Sequence, residues 1–274
     1  MKKSIILMVI GLLLACGGSK SWAGQKYFHE ARVFDQTLIS VYELYSDDLD
    51  NDNATIWIEQ TEIGSNKPTF KAITKKRNCC LRNMDRVGDF IIIPYTKTDY
   101  TDQKDEAGLF FFPIRIGFCY TNSDGESTKI GIRKITFPDA REILSWKWEY
   151  CGDYAKMPML LVVRYADRKS LIKLELTTGN TTNLRDFFGV NIFLGKYWHS
   201  EFCPYHIALM IVESNGNAKI CNFNDSGIIY ELGSVWLDQT TWIEDFNYYP
   251  SSSDSEFELY INYTSGKGYY LESD

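Results

Sequence analysis

The chain is poor in what catalysis usually draws on. Its 274 residues include three His, no G-x-S-x-G nucleophile elbow and no phosphate-binding glycine loop, so triad hydrolysis and nucleotide chemistry lack their usual carriers. It is also short of positive charge. Lys and Arg number 29 against 36 Asp and Glu, and a net charge of −7 repels phosphate backbones, which excludes an ordinary nucleic-acid binder. Helical periodicity is missing over any long stretch; residues 139–146 are expected to make a turn or two of helix and no more. No apolar run approaches the roughly 20 residues that a spanning helix needs.

An export signal is present instead. Lys2 and Lys3 precede the uncharged apolar run Ile5 to Ala15, which has the length and flanks of a secretory h-region, so residues 1–15 are expected to be a signal peptide. The run ends in Leu13-Leu14-Ala15-Cys16. This resembles the lipobox of bacterial lipoproteins, which implies cleavage before Cys16, a lipid on its sulfur, and residues 16–24 as a tether. Gly17, rather than Asp, follows the cysteine, so the resemblance implies anchoring to the outer membrane, on its periplasmic or surface face. Ser21-Trp22-Ala23 carries the alternative: cleavage after Ala23 by an ordinary signal peptidase, giving a soluble periplasmic protein. Cleavage before Cys16 removes Lys2 and Lys3 and takes the net charge to −9. Such acidity serves solubility or attracts a basic protein partner.

Six further cysteines remain: Cys79, Cys80, Cys119, Cys151, Cys203 and Cys221. An even number in an exported chain predicts disulfides, with some buried free thiols as the alternative.

Residues 25–274 read as one all-β domain. Leu38 to Tyr42, Phe90 to Ile93, Leu109 to Phe112, Leu160 to Val163 and Ala208 to Val212 are short runs of branched and aromatic residues. Two segments alternate, with Ile172, Leu174 and Leu176 on one face and Phe257, Leu259, Ile261 and Tyr263 on another. Asn215-Gly216 marks a hairpin, and Thr178-Gly179 a second turn. The C-terminal half repeats at a spacing of 48, aligning Trp146 with Leu194 and Trp242, Tyr150 with Trp198 and Phe246, and Val163 with Ile211 and Leu259. Each unit has the strand grammar of a propeller blade. This resembles β-propellers in general, with about five four-stranded blades; a β-sandwich or paired antiparallel sheets is the alternative. No WD or kelch signature is present.

Three groups of residues are candidate sites. Asp48, Asp50, Asp52 and Glu59 have the spacing of a calcium loop, although the residues before Glu59 read as strand. His199, Cys203 and His206 carry zinc-ligand chemistry, with Pro204 breaking the spacing. His29 has no recognisable partner. Most distinctive are the aromatics Trp148, Tyr197, Trp198, His199, Tyr248 and Tyr249, which are expected to form a recognition face for a protein or a carbohydrate. The combination predicts a non-enzymatic envelope lipoprotein, one form of which is an immunity protein against a periplasmic toxin. The alternative is an envelope glycoside hydrolase on a five-bladed propeller, which needs only two well-placed carboxylates.

Overall fold

The computed structural model describes residues 24–46, 53–65, 69–77, 79–99, 104–115, 119–121, 127–129, 131–148, 158–198, 206–223, 229–237, 243–250, 257–263 and 268–272. Among them every regular element is a strand. The fold is all-β and β-propeller-like: successive antiparallel sheets, each built from consecutive strands.

The first sheet is the meander β1 (Gly24–Phe34), β2 (Thr37–Ser46), β3 (Asn53–Glu62) and β4 (Thr69–Arg77). The second has the order β11-β8-β7-β5, from β5 (Cys79–Leu81), β7 (Phe90–Asp99), β8 (Lys104–Pro113) and β11 (Arg133–Pro138), with β6 (Asp85–Val87) also paired to β7. A small hairpin, β9 (Cys119–Thr121) with β10 (Ser127–Lys129), is inserted in it. The third is the meander β12 (Glu142–Trp148), β13 (Pro158–Arg164), β14 (Lys169–Glu175) and β15 (Thr181–Phe187). The fourth repeats this with β16 (Asn191–Tyr197), β17 (His206–Val212), β18 (Asn217–Phe223) and β19 (Ile229–Trp236). A final unit holds β20 (Ile243–Pro250), β21 (Phe257–Tyr263) and β22 (Gly268–Glu272), three strands rather than the expected four among the described residues. It joins the fourth sheet where β16 and β20 pair in parallel over Lys196 with Asn247 and Tyr197 with Tyr248.

Strand alternation explains why the central runs are apolar throughout. In β13, Met159, Leu161 and Val163 enter a core shared with Phe90, Ile92, Leu109 and Phe111 of the second sheet. Their neighbours Leu160 and Val162 enter a different core, with Ile192, Leu194, Ile207 and Leu209 of the fourth. A strand buried on both faces has no polar side to show. The first and second sheets share a core of Ile39, Val41, Ile56 and Ile58 with Ile91, Ile93, Phe110 and Phe112. The fourth sheet and the final unit share one built around Met210, Ile220, Phe246 and Leu259. The alternating segments behave as expected: Ile172, Leu174 and Leu176 share one core, and Phe257, Leu259, Ile261 and Tyr263 another.

The hairpin at Asn215-Gly216 forms, with Gly216 at φ 97° and the Asn215 side-chain oxygen accepting from the Asn217 amide at 2.9 Å. Gly179 turns at φ 79°. Residues 139–146 correct the expectation of helix. Asp139 takes φ 62°, a left-handed turn that ends β11, and Glu142 onward is strand β12. The 48-residue repeat holds from the third sheet to the fourth: β13, β14 and β15 begin at 158, 169 and 181, and β17, β18 and β19 at 206, 217 and 229. It slips by three residues in the final unit, where β21 and β22 begin at 257 and 268. The extra residues lie in the connection at 237–242, which is longer than its counterpart at 188–190. Trp242 therefore precedes β20 and lies outside the described residues, and Ile243 opens the strand.

Candidate functional site

The C-terminal ends of β12 and β16 both meet β20. Lys147 on β12 reaches Asp245 on β20, Nζ to Oδ2 at 3.0 Å. At the end of β16 the Trp198 amide donates to the Tyr248 carbonyl at 2.9 Å, which fixes the chain as it leaves the sheet. The Trp198 indole donates Nε1–H to Asn247 Oδ1 at 3.1 Å. Its ring stacks on Tyr249, with centroids 5.8 Å apart and planes 2° from parallel. Lys196 Nζ lies 5.8 Å over the same indole. Tyr249 meets Tyr260 edge-on at 5.6 Å, and the Tyr260 hydroxyl donates to Glu258 Oε2 at 3.2 Å. Tyr249 and Tyr260 are 37% and 40% exposed, so the ladder reaches solvent while its orientation is already set.

Of the expected recognition residues, Trp198 and Tyr249 meet here. Tyr248, adjacent in the strand, points to the opposite face. It is 4% exposed, packs on Phe257 at 5.1 Å and donates its hydroxyl to the Leu232 carbonyl at 3.2 Å. Tyr197 packs on Tyr248 at 5.6 Å, beside the same core. Period-two alternation turns neighbours apart, so these two lie behind the ladder, against the core. Trp148 is partly buried and packs against the core between the second and third sheets. Tyr260, Lys196 and Asn247 were missed. Tyr260 carried a readable signal, as an aromatic at a solvent-facing position between Leu259 and Ile261.

His199, Cys16, Asp48, Asp50 and Asp52 lie outside the described residues. Glu59 sits on β3 and accepts from the Trp57 indole at 3.2 Å. Cys203 is also outside, while His206 opens β17 with its ring 6.4 Å from Tyr197. His29 does have a partner, its Nε2 lying 3.2 Å from the Arg82 carbonyl oxygen. Among the described residues no three His, Cys, Asp or Glu side chains are grouped for a metal ion.

A cavity of about 440 Å³ opens where the first three sheets converge, lined by Arg32, Arg82, Asn83, Met84, Asp85 and Trp146. Its acid is committed. Asp85, the acid in its wall, accepts from the Trp146 indole at 2.8 Å, and Glu142, outside the wall, pairs with Arg82 and with Arg164. Burial first, then Arg164, presses the Arg82 pKa down. Asp186 is held below the usual carboxylate range, chiefly by the Ser170 hydroxyl at 2.6 Å, the reverse of what a general acid needs.

Among the described residues Cys80 is an exposed free thiol and Cys221 a buried one, the latter as the alternative to disulfides expected. Burial pushes the Cys221 pKa up to about 11 from 9.0, so at neutral pH it carries about a hundred-fold less thiolate than an ordinary cysteine. A thiol reagent at pH 8 should label exposed Cys80 readily and Cys221 only after unfolding. The stability held in this protonated thiol is intact below 9.0 and is lost as pH rises toward about 11.

No family model matches the chain, and no curated protein matches it. Among solved structures it is similar to Drosophila Semaphorin 1a, extracellular domains 1–2, at 7% identity and TM-score 0.43, covering 93% of this chain and 76% of that one. It is similar to the β-propeller domain of the Trilobed protease from Pyrococcus furiosus at 10% identity and TM-score 0.33, covering 93% and 95%. A third likeness is to the GH43_1 enzyme from Xanthomonas citri complexed with xylotriose, at 9% identity and TM-score 0.35, covering 90% and 86%.

Proposed function

We propose that the chain is a lipid-anchored protein of the bacterial envelope that acts by stoichiometric binding, through the ladder Lys196–Trp198–Tyr249–Tyr260. The observation that carries this is the ladder itself: exposed aromatics held by hydrogen bonds and by one another before any partner arrives. Large rigid rings lose little entropy on binding and supply most of the energy at protein interfaces. Trp198 already stacks on Tyr249 and lies under Lys196, so its ring face is in use. A sugar stacks on an open ring face, so the ladder favours a protein partner over a glycan. An immunity protein that neutralises an incoming toxin is one form of this reading. Hydrolysis is the weaker reading, because Asp85, the acid lining the cavity between the first three sheets, is tied to the Trp146 indole.

The anchor has its own test. Cys16→Ser should shift the protein from the membrane fraction to the soluble fraction or block its processing, since buried acyl chains contribute about 0.8 kcal/mol per methylene. A wild-type mature chain whose mass begins at Gly24, found in the soluble fraction, would contradict the tether.

A further inference from the structure

At the other end of the third sheet, where β12 begins, β13 turns into β14, and β15 ends, lies a second cavity of about 230 Å³. Arg141, Arg164, Arg168 and Lys169 line it, with Asp167 as the one acid in its wall. Four cations around one hollow are out of keeping with a chain whose net charge is −7. Their internal partners only partly neutralise them. Lys169 spends its ammonium on a backbone carbonyl, Val190 O at 2.7 Å, and has no carboxylate partner among the described residues. Arg141 reaches Asp105 at 3.4 Å across an exposed contact, which is worth little in water. Arg164 shares Glu142 with Arg82, so one carboxylate serves two guanidiniums. Arg168 is seated more firmly, with Nη1 3.1 Å from Asp167 and its guanidinium 4.3 Å over the Tyr165 ring. Its Nε is buried and lies 3.5 Å from Asp186 without making a hydrogen bond.

We propose that this cavity binds a phosphoryl oxyanion, either inorganic phosphate or the phosphomonoester of a larger molecule, held by Arg141, Arg164, Arg168 and Lys169. Planar guanidiniums present paired N–H donors that match tetrahedral oxyanions, and a lysine adds a point charge. The hollow has room for the anion and the first carbons of an ester. Crowding among the cations is visible in Lys169, whose pKa is lowered by burial and then by Arg164; a bound dianion counters the repulsion from Arg164. This site is separate from the aromatic ladder, and its test does not depend on the ladder's partner.

Calorimetric titration of the purified chain at low ionic strength should show saturable one-to-one binding of inorganic phosphate. Glycerol phosphate binding more tightly than phosphate assigns the site to an esterified group, and equal affinity assigns it to the free anion. Arg141→Gln and Lys169→Met should each weaken binding about ten-fold or more, while Lys219→Gln, on the fourth sheet, should leave it unchanged. If Lys169→Met unfolds because Val190 loses its donor, the exposed Arg141 still decides the matter. Absence of saturable binding, an Arg141→Gln chain that binds phosphate as tightly as wild type, or glucuronate binding as tightly as phosphate would each overturn the assignment.

Discussion

Gly195→Val should unfold the C-terminal part of the protein or come close to it. Gly195 lies on the inner strand of the fourth sheet, beside the parallel pairing with β20. A Cβ there would meet Phe246 Cγ, Cδ1 and the Phe246 carbonyl oxygen, each at 2.5 Å. Phe246 is fully buried in the core between the fourth sheet and the final unit, so its ring has nowhere to go. Its carbonyl belongs to the strand that pairs with Lys196 and Tyr197 and cannot move without breaking that pairing. Overpacking at such a point costs about 3 kcal/mol or more, a large share of a typical domain's stability. Urea unfolding should show a clear drop in midpoint. Gly131→Ala is the control: nothing lies within 4 Å of its added Cβ, and the midpoint should hold.

Trp198→Ala and Tyr249→Ala should each weaken partner binding by about 2–4 kcal/mol, the usual cost of truncating an aromatic anchor. Neither change should unfold the protein. Tyr249 is partly exposed, and Trp198 sits past the end of its strand, where its backbone bond to Tyr248 survives the substitution. Trp148→Ala should behave differently, lowering stability with little effect on affinity, because its ring packs on the core between the second and third sheets. Calorimetry for affinity and thermal melting for stability separate the two classes.

Much of the fold was legible because burial on both faces leaves a mark in sequence. Runs such as Leu160 to Val163 have no polar alternation, and runs such as Phe257 to Tyr263 alternate because one side faces water. Asn215-Gly216 announced its hairpin through the positive φ that Gly216 adopts. The slip of the last repeat was hidden, because loop length between strands leaves no periodic signal and the aromatic Trp242 happened to fall on the 48-residue spacing. The site was half legible. Aromatic pairs at Tyr197-Trp198 and Tyr248-Tyr249 drew attention to the right strand ends, but adjacent strand residues cannot serve one face, and only register told which of each pair turns outward. Asn247 joins the ladder through a contact between two units, 49 residues from Trp198 in sequence, which no local pattern encodes.

The most direct test of binding at the ladder is site-specific photo-crosslinking in the living envelope. A photoreactive phenylalanine placed at Tyr260, on the rim of the ladder, should yield one adduct of discrete mass, and Trp198→Ala or Tyr249→Ala should abolish it. The same probe at the exposed Thr182 on β15 should yield none. No discrete adduct from Tyr260, or the same adduct from Thr182, would contradict the account.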